Sequence, residues 1–153
     1  MDAKQLSQRI EEILAGELAL YREMEQFSRE QIAALSLDTP DIEKAAEMIR
    51  AKQSIVQSLN KLDKDSREIK EEWESVADTL DEEIRKPVRA VAADIAGLLE
   101  TLMKLEKENE DCLKRNAADL NRELLAIQRA RLASRAYGSR IGPDDPRFLD
   151  RKQ

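Results

Sequence analysis

The sequence predicts an all-α protein: an elongated antiparallel helical bundle or coiled coil of three long helices, followed by an irregular C-terminal tail. Three observations lead there. Apolar residues recur at helical spacings of three and four from Leu6 to Ile127. The composition is 41% hydrophobic and 38% charged with only 3% aromatic, the balance of amphipathic helices rather than of a thick globular core. Of the four Gly and four Pro, two of each fall after Tyr137, so the chain reads as a helical body, residues 1–136, and a recognition tail, residues 137–153.

The first helix is expected over residues 4–36. Leu6, Ile10, Ile13, Leu20, Met24 and Phe27 form its stripe, widened by Leu14, Leu18 and Tyr21. It stops at Ser36, Leu37 and Asp38, after which Thr39 can cap the next helix, with Pro40 at the first helical position where a missing N–H costs nothing. The second helix carries a seam from Ile42 through Ile49, Val56, Leu62, Ile69, Trp73 and Leu80 to Ile84, with Trp73 read as core. Pro87 disfavours helical geometry at Lys86, so a helix boundary or a sharp kink is expected near residues 84–87, with a turn preferred to a kink. The third helix restarts the seam at Val88, Val91, Ile95, Leu98, Leu102 and Leu105, then shifts phase through Leu113, Leu120, Leu124 and Ile127.

Within these helices, Asn109 and Asn116 fall on or beside the stripe. Either they are buried and fix the register, as Asn does in coiled coils, or they lie at the seam's edge and face water. Gly16 and Gly97 each weaken a helix interior and are read as marks of close helix approach. Cys112 reads as a small core hydrophobe.

Inventory narrows the chemistry. With no His and one Cys, a His-ligated metal, a Ser/His or Cys/His nucleophile and a Cys-based zinc site are excluded, and no pair among the 32 acidic residues stands out as an acid/base couple. The expectation is a protein that is not an enzyme and uses no cofactor. No apolar run approaches a membrane span and no leader pattern opens the chain, so no membrane insertion is expected. A lone Cys fits a reducing, cytoplasmic setting. Charge is uneven: residues 60–83 hold ten acids against four bases, and residues 114–140 seven bases against two acids. The arginines of the basic run, Arg115 to Arg140, have only Tyr137 as an aromatic companion in a chain of net charge −6, so no nucleic-acid partner is expected.

Three pieces of the chain resemble the FlgN-type flagellar export chaperones. Ile13, Leu14, Glu17 and Tyr21, followed by Leu59, Leu62 and Arg67, are similar to the family's opening helices. The run from Leu102 to Leu113, with Asn109 in it, resembles the family's Leu, Leu-Asn, Asn, Leu-Leu segment, although Glu106 and Cys112 depart from it. Tyr137-Gly138 with Gly142, then Phe148 to Lys152, resembles the tail that closes many members, with Gly142 one residue later than in some.

The resemblance implies a cytoplasmic chaperone that holds the terminal helices of hook-associated proteins of the FlgK/FlgL type, prevents premature assembly and delivers them to the type III export gate. Leu120, Leu124, Ile127 and Leu132 are then the expected client-binding residues, by helix-in-groove packing. Ordinary packing against the first two helices is the other reading of that stripe. Tyr137, with Gly138 and Gly142 supplying backbone freedom, is expected to contact the gate or the client, or else to pack locally against the bundle. A homodimer is compatible with the seams, and a self-associating coiled-coil tether is the rival reading of the whole chain.

Overall fold

Asp2 starts the first helix by a reciprocal capping box. Its carboxylate accepts the Gln5 backbone N–H at 2.8 Å, and its own N–H donates to Gln5 Oε1 at 3.0 Å. From there α1 runs Ala3–Leu35, one residue from the expected bounds at each end. A computed structural model describes residues 1–137, with side chains for all of these but residues 120, 123, 124 and 134–137. The element order is α1, α2 (Ile42–Val76), a single 3₁₀ turn (Ala77–Thr79) and α3 (Glu82–Tyr137), with no strand among the described residues. The chain divides into two compact units, Met1–Leu113 and Lys114–Gln153. Of the expected tail, Tyr137 closes α3 and the remainder lies outside the described residues.

The cap of α2 is Asp41, not Thr39. Its carboxylate accepts the Lys44 N–H at 3.0 Å, while its own N–H returns to the Ala34 carbonyl at 3.0 Å and closes the end of α1. Pro40 has no N–H to give that carbonyl, so the duty passes to the next residue and Pro40 stays outside the helix.

The second turn also differs from expectation. It lies at residues 77–81, not 84–87, and Pro87 sits inside α3. The Thr79 hydroxyl donates to the Val76 carbonyl at 2.6 Å, Leu80 is extended, and the Asp81 carbonyl accepts from Ile84 and Arg85 at 3.0 and 3.1 Å to open α3. Glu82 and Glu83 in the first turn suit the positive end of the helix dipole. This turn chemistry overrides the proline, which removes one backbone bond without stopping the helix. Helix α2 is therefore shorter than expected at 35 residues, α3 longer at 56, and Ile84 belongs to α3.

In the first unit the three helices run up, down and up. Leu6 and Ile10 of α1, with Leu14 beside them, pack on Ile69, Trp73 and Val76 from the far end of α2, so those two are antiparallel. Val88 joins the same cluster, while Cys112 packs with Ala34, Leu35 and Ala45 at the other end, so α3 runs parallel to α1. Trp73 and Cys112 are thus core-packed residues, as expected. Each fully buried Leu or Ile here contributes roughly 1.5–3 kcal/mol. The core row of α3 passes Leu102, Leu105, Asn109 and Cys112, spaced three, four and three, so the expected shift of phase onto Leu113 does not occur: Leu113 is exposed.

Neither helical glycine marks a close approach. A Cβ on Gly16 would lie 3.6 Å from Leu62 Cδ2, an ordinary contact, and one on Gly97 would meet nothing within 4 Å. No described glycine has a positive φ. Gly97→Ala is therefore expected to stabilise the fold by about 0.5–1 kcal/mol, raising the thermal midpoint by about 2–5 °C in a melt followed by circular dichroism. A lowered midpoint would show that the open space beside Gly97 is filled.

Candidate functional site

Toward the end of the first unit that holds the α1–α2 turn, the apolar core is interrupted by a layer of polar side chains, with members from each helix. Ser28 and Gln31 come from α1, Lys52 from α2, and Glu106 and Asn109 from α3. Glu106 ties the layer together: Oε1 accepts from the Ser28 hydroxyl at 2.6 Å, and Lys52 Nζ donates to Oε1 and Oε2 at 2.8 and 3.0 Å. Asn109 Nδ2 donates to the Ser28 carbonyl at 3.1 Å. Of the two asparagines flagged in the sequence, Asn109 is the buried one, at 2% exposure; Asn116 is half-buried.

The layer is incompletely satisfied. Asn109 Oδ1 and Gln31 Oε1 are both buried and accept no hydrogen bond. Neither oxygen has a donor among the described residues, and buried polar atoms without a protein partner are uncommon in folded chains. Directly beside them lies a groove of about 580 Å³. Met24 and Gln31 of α1 line it, with Ile49, Gln53 and Val56 of α2 and, from α3, Asn109, Glu110 and Leu113. Val56 and Leu113 stay exposed there although both are apolar.

Asn109 is legible in the sequence as a member of the layer, whereas the polar character of Ser28, Gln31, Lys52 and Glu106 hides them among surface residues. A signal did exist: Met24, Ser28, Gln31 and Leu35 keep the four-three-four spacing of one helix face, as do Ala45, Met48, Lys52 and Ile55 with three, four and three.

A second polar cluster lies farther from the first turn, toward the second. Lys70 of α2 donates to Glu17 of α1 and, at 3.3 Å, to Asp63 Oδ1. Burial pushes the Lys70 ammonium down, but the hydrogen bonds and charges of Glu17 and Asp63 outweigh it and hold the group above its ordinary value. Tyr21 sits beside this pair. Burial first, and then the Glu17 carboxylate, raise its hydroxyl, with Lys70 opposing. Glu17 thus ties α1 to α2 through Lys70, with Tyr21 one turn along α1 in the same electrostatic surroundings.

In the second unit, Ile127 and Leu132 are exposed, at 46% and 62%, as is Leu125. Five residues separate Ile127 from Leu132, about 140° around a helix, so these two do not share a face. Leu132 lies instead in a row with Leu125, seven residues away. Leu120 and Leu124 belong to α3, but their side chains are not among those described; Tyr137 is the last residue of α3, and Gly138 and Gly142 lie outside the described residues. No group of three or more His, Cys, Asp or Glu is placed to hold a metal among the described residues, and no helix there is long and apolar enough to cross a membrane.

Packed helices that still present apolar side chains to solvent, together with a groove bordered by unpartnered acceptors, define a helical protein-binding module. The family model described as FlgN protein matches residues 1–143. The chain belongs to the FlgN family, whose members are flagellar export chaperones that bind flagellar proteins. No curated protein and no solved structure matches it.

Proposed function

We propose that this chain is the cytoplasmic chaperone for hook-associated junction proteins of the FlgK/FlgL type, holding their terminal helices until the type III export gate receives them. Family membership supports the chaperone role. The observation that carries the choice of surface is the exposure of Ile127 and Leu132 on a helix of the second unit, which leaves apolar area for a client helix to cover. Leu120, Leu124 and Ile127 make the first contact row and Leu132, with Leu125, a second. Tyr137, with Gly138 and Gly142, forms the contact to the gate. Capture followed by release requires binding in the micromolar to nanomolar range, about 8–12 kcal/mol.

The test is capture of a purified hook-associated protein, read together with its appearance in the culture medium. Ile127→Asp with Leu132→Asp is expected to abolish capture, because a carboxylate in a helix-binding face stays desolvated and unpaired. Tyr137→Ala is expected to leave capture intact and lose export. Undiminished capture by the double variant sinks the assignment of the client surface. A homodimer through these two rows would hide them until a client competes, and sedimentation of the wild type and the double variant reads this: a dimer that survives the double substitution belongs to a self-associating tether instead.

A further inference from the structure

We propose that an exposed seam of the second unit, from Arg115 to Leu132, is a docking face for an acidic amphipathic helix, one whose carboxylates and apolar side chains alternate at the same spacing. Leu125 and Leu132 are the second row of the surface assigned above to the client, so the proposal rests on that reading and adds the chemistry of the segment this row takes.

The spacing selects a helix. Arg115, Ala118, Arg122, Leu125, Arg129 and Leu132 follow one another by three, four, three, four and three, the repeat of a seam along which another helix packs. All six are exposed. The row runs about 26 Å along the helix, long enough for several turns of a partner to lie in register with it.

The chemistry selects an acid. An arginine holds every seventh position, so each of Ala118, Leu125 and Leu132 has a guanidinium one turn before it. Arg122 pairs with Asp119, and Lys114, Arg115 and Arg131 also interact within the chain, yet residues 114–132 hold five bases against two acids and are positive in sum. The Arg122–Asp119 pair is itself exposed, and such a pair is weak enough to yield to a partner's carboxylate. A second copy of this seam would bring three more arginines to one interface, where like charges repel. A lipid surface favours a helix with its apolar and basic residues on separate faces, and a nucleic-acid backbone has no use for the two leucines. A helix with carboxylates at every seventh residue and leucines between them meets both halves of the row, through charge-assisted hydrogen bonds to the arginines and apolar contact with Leu125 and Leu132.

The experiment uses the full chain and a fluorescent model helix of about 21 residues whose seam repeats glutamate and leucine by three and four. Fluorescence anisotropy at low salt is expected to show saturable binding, about tenfold weaker when the peptide's glutamates are replaced by glutamine. Arg122→Glu with Arg129→Glu is expected to weaken the glutamate peptide about tenfold, to leave the thermal midpoint within about 3 °C, and to gain affinity for a peptide with lysine in place of glutamate. Leu125→Gln, which leaves the charge unchanged, is expected to weaken the glutamate peptide about threefold or more. The proposal is overturned if no saturable binding occurs below about 1 mM, if glutamate and glutamine peptides bind alike, or if Leu125→Gln has no effect. It is also overturned if phosphatidylglycerol vesicles or double-stranded DNA bind more tightly than the peptide through the same arginines. Capture of the hook-associated protein separates this from the reading beneath it. Capture that survives Arg122→Glu with Arg129→Glu but is lost on Ile127→Asp with Leu132→Asp keeps the client surface and overturns the acidic partner. A charge swap that works on the peptide, with capture undiminished by Ile127→Asp and Leu132→Asp, upholds the docking face and sinks only its assignment to the client.

Discussion

Glu106→Ala is expected to cost about 3 kcal/mol of stability, and Lys52→Met only about 1 kcal/mol, although the two substitutions break the same ion pair. The asymmetry follows from where each charge is left. The Lys52 side chain is 11% exposed, so without Glu106 its ammonium is left largely buried without the carboxylate it pairs with, and the Ser28 hydroxyl loses its acceptor as well. The Glu106 side chain is 48% exposed, so without Lys52 its carboxylate turns to water and keeps the Ser28 bond. Methionine in place of Lys52 also preserves most of the buried stem. Urea unfolding of the two variants separates the costs. Glu106→Ala is expected to lower the thermal midpoint by about 10 °C. Equal costs would mean that Lys52 finds a second partner or reaches solvent, and the polar layer would then be far softer than its hydrogen bonds indicate.

That layer is also where legibility in the sequence ends. Apolar spacing locates α1 to within a residue at each end, and it places Trp73 and Leu102 in the core, because burial of a stripe demands that spacing whatever the helix packs against. Pro87 alone points to a turn at residues 84–87, but ordinary turn residues at 77–81 decide where the chain reverses. The Thr79 hydroxyl and the Leu80 N–H close one helix and the Asp81 carbonyl opens the next, whereas Pro87 subtracts a single backbone bond. Lys52 and Glu106 were not legible because each is a typical surface residue alone. The burial of Lys52 goes with its pairing to Glu106 across α2 and α3, a fact of tertiary structure that no single helix pattern encodes. The grouping of Leu132 with Ile127 fails for a simpler reason: five residues are not a helical repeat.

The sharpest division between fold and function is expected from two truncations of the same residue type. Ile10 is 2% exposed and packs in the cluster of Leu6, Val88 and Trp73, so Ile10→Ala removes buried carbon and leaves a cavity that three long helices cannot easily close. The expected loss is about 3 kcal/mol, a fall of about 10 °C in the thermal midpoint. Ile127 is 46% exposed, and its truncation gives up far less area that the chain itself covers. Ile127→Ala is expected to shift stability by no more than about 0.5 kcal/mol. Its effect appears only when a client helix covers that face, as a loss of about 1.4 kcal/mol or tenfold in affinity for the hook-associated protein. Ile10→Ala at a temperature where it is still folded is expected to bind the client normally. If instead Ile127→Ala destabilises the free chain as much as Ile10→Ala does, Ile127 is covered by the chain's own helices, and the face assigned to the client is an ordinary part of the core.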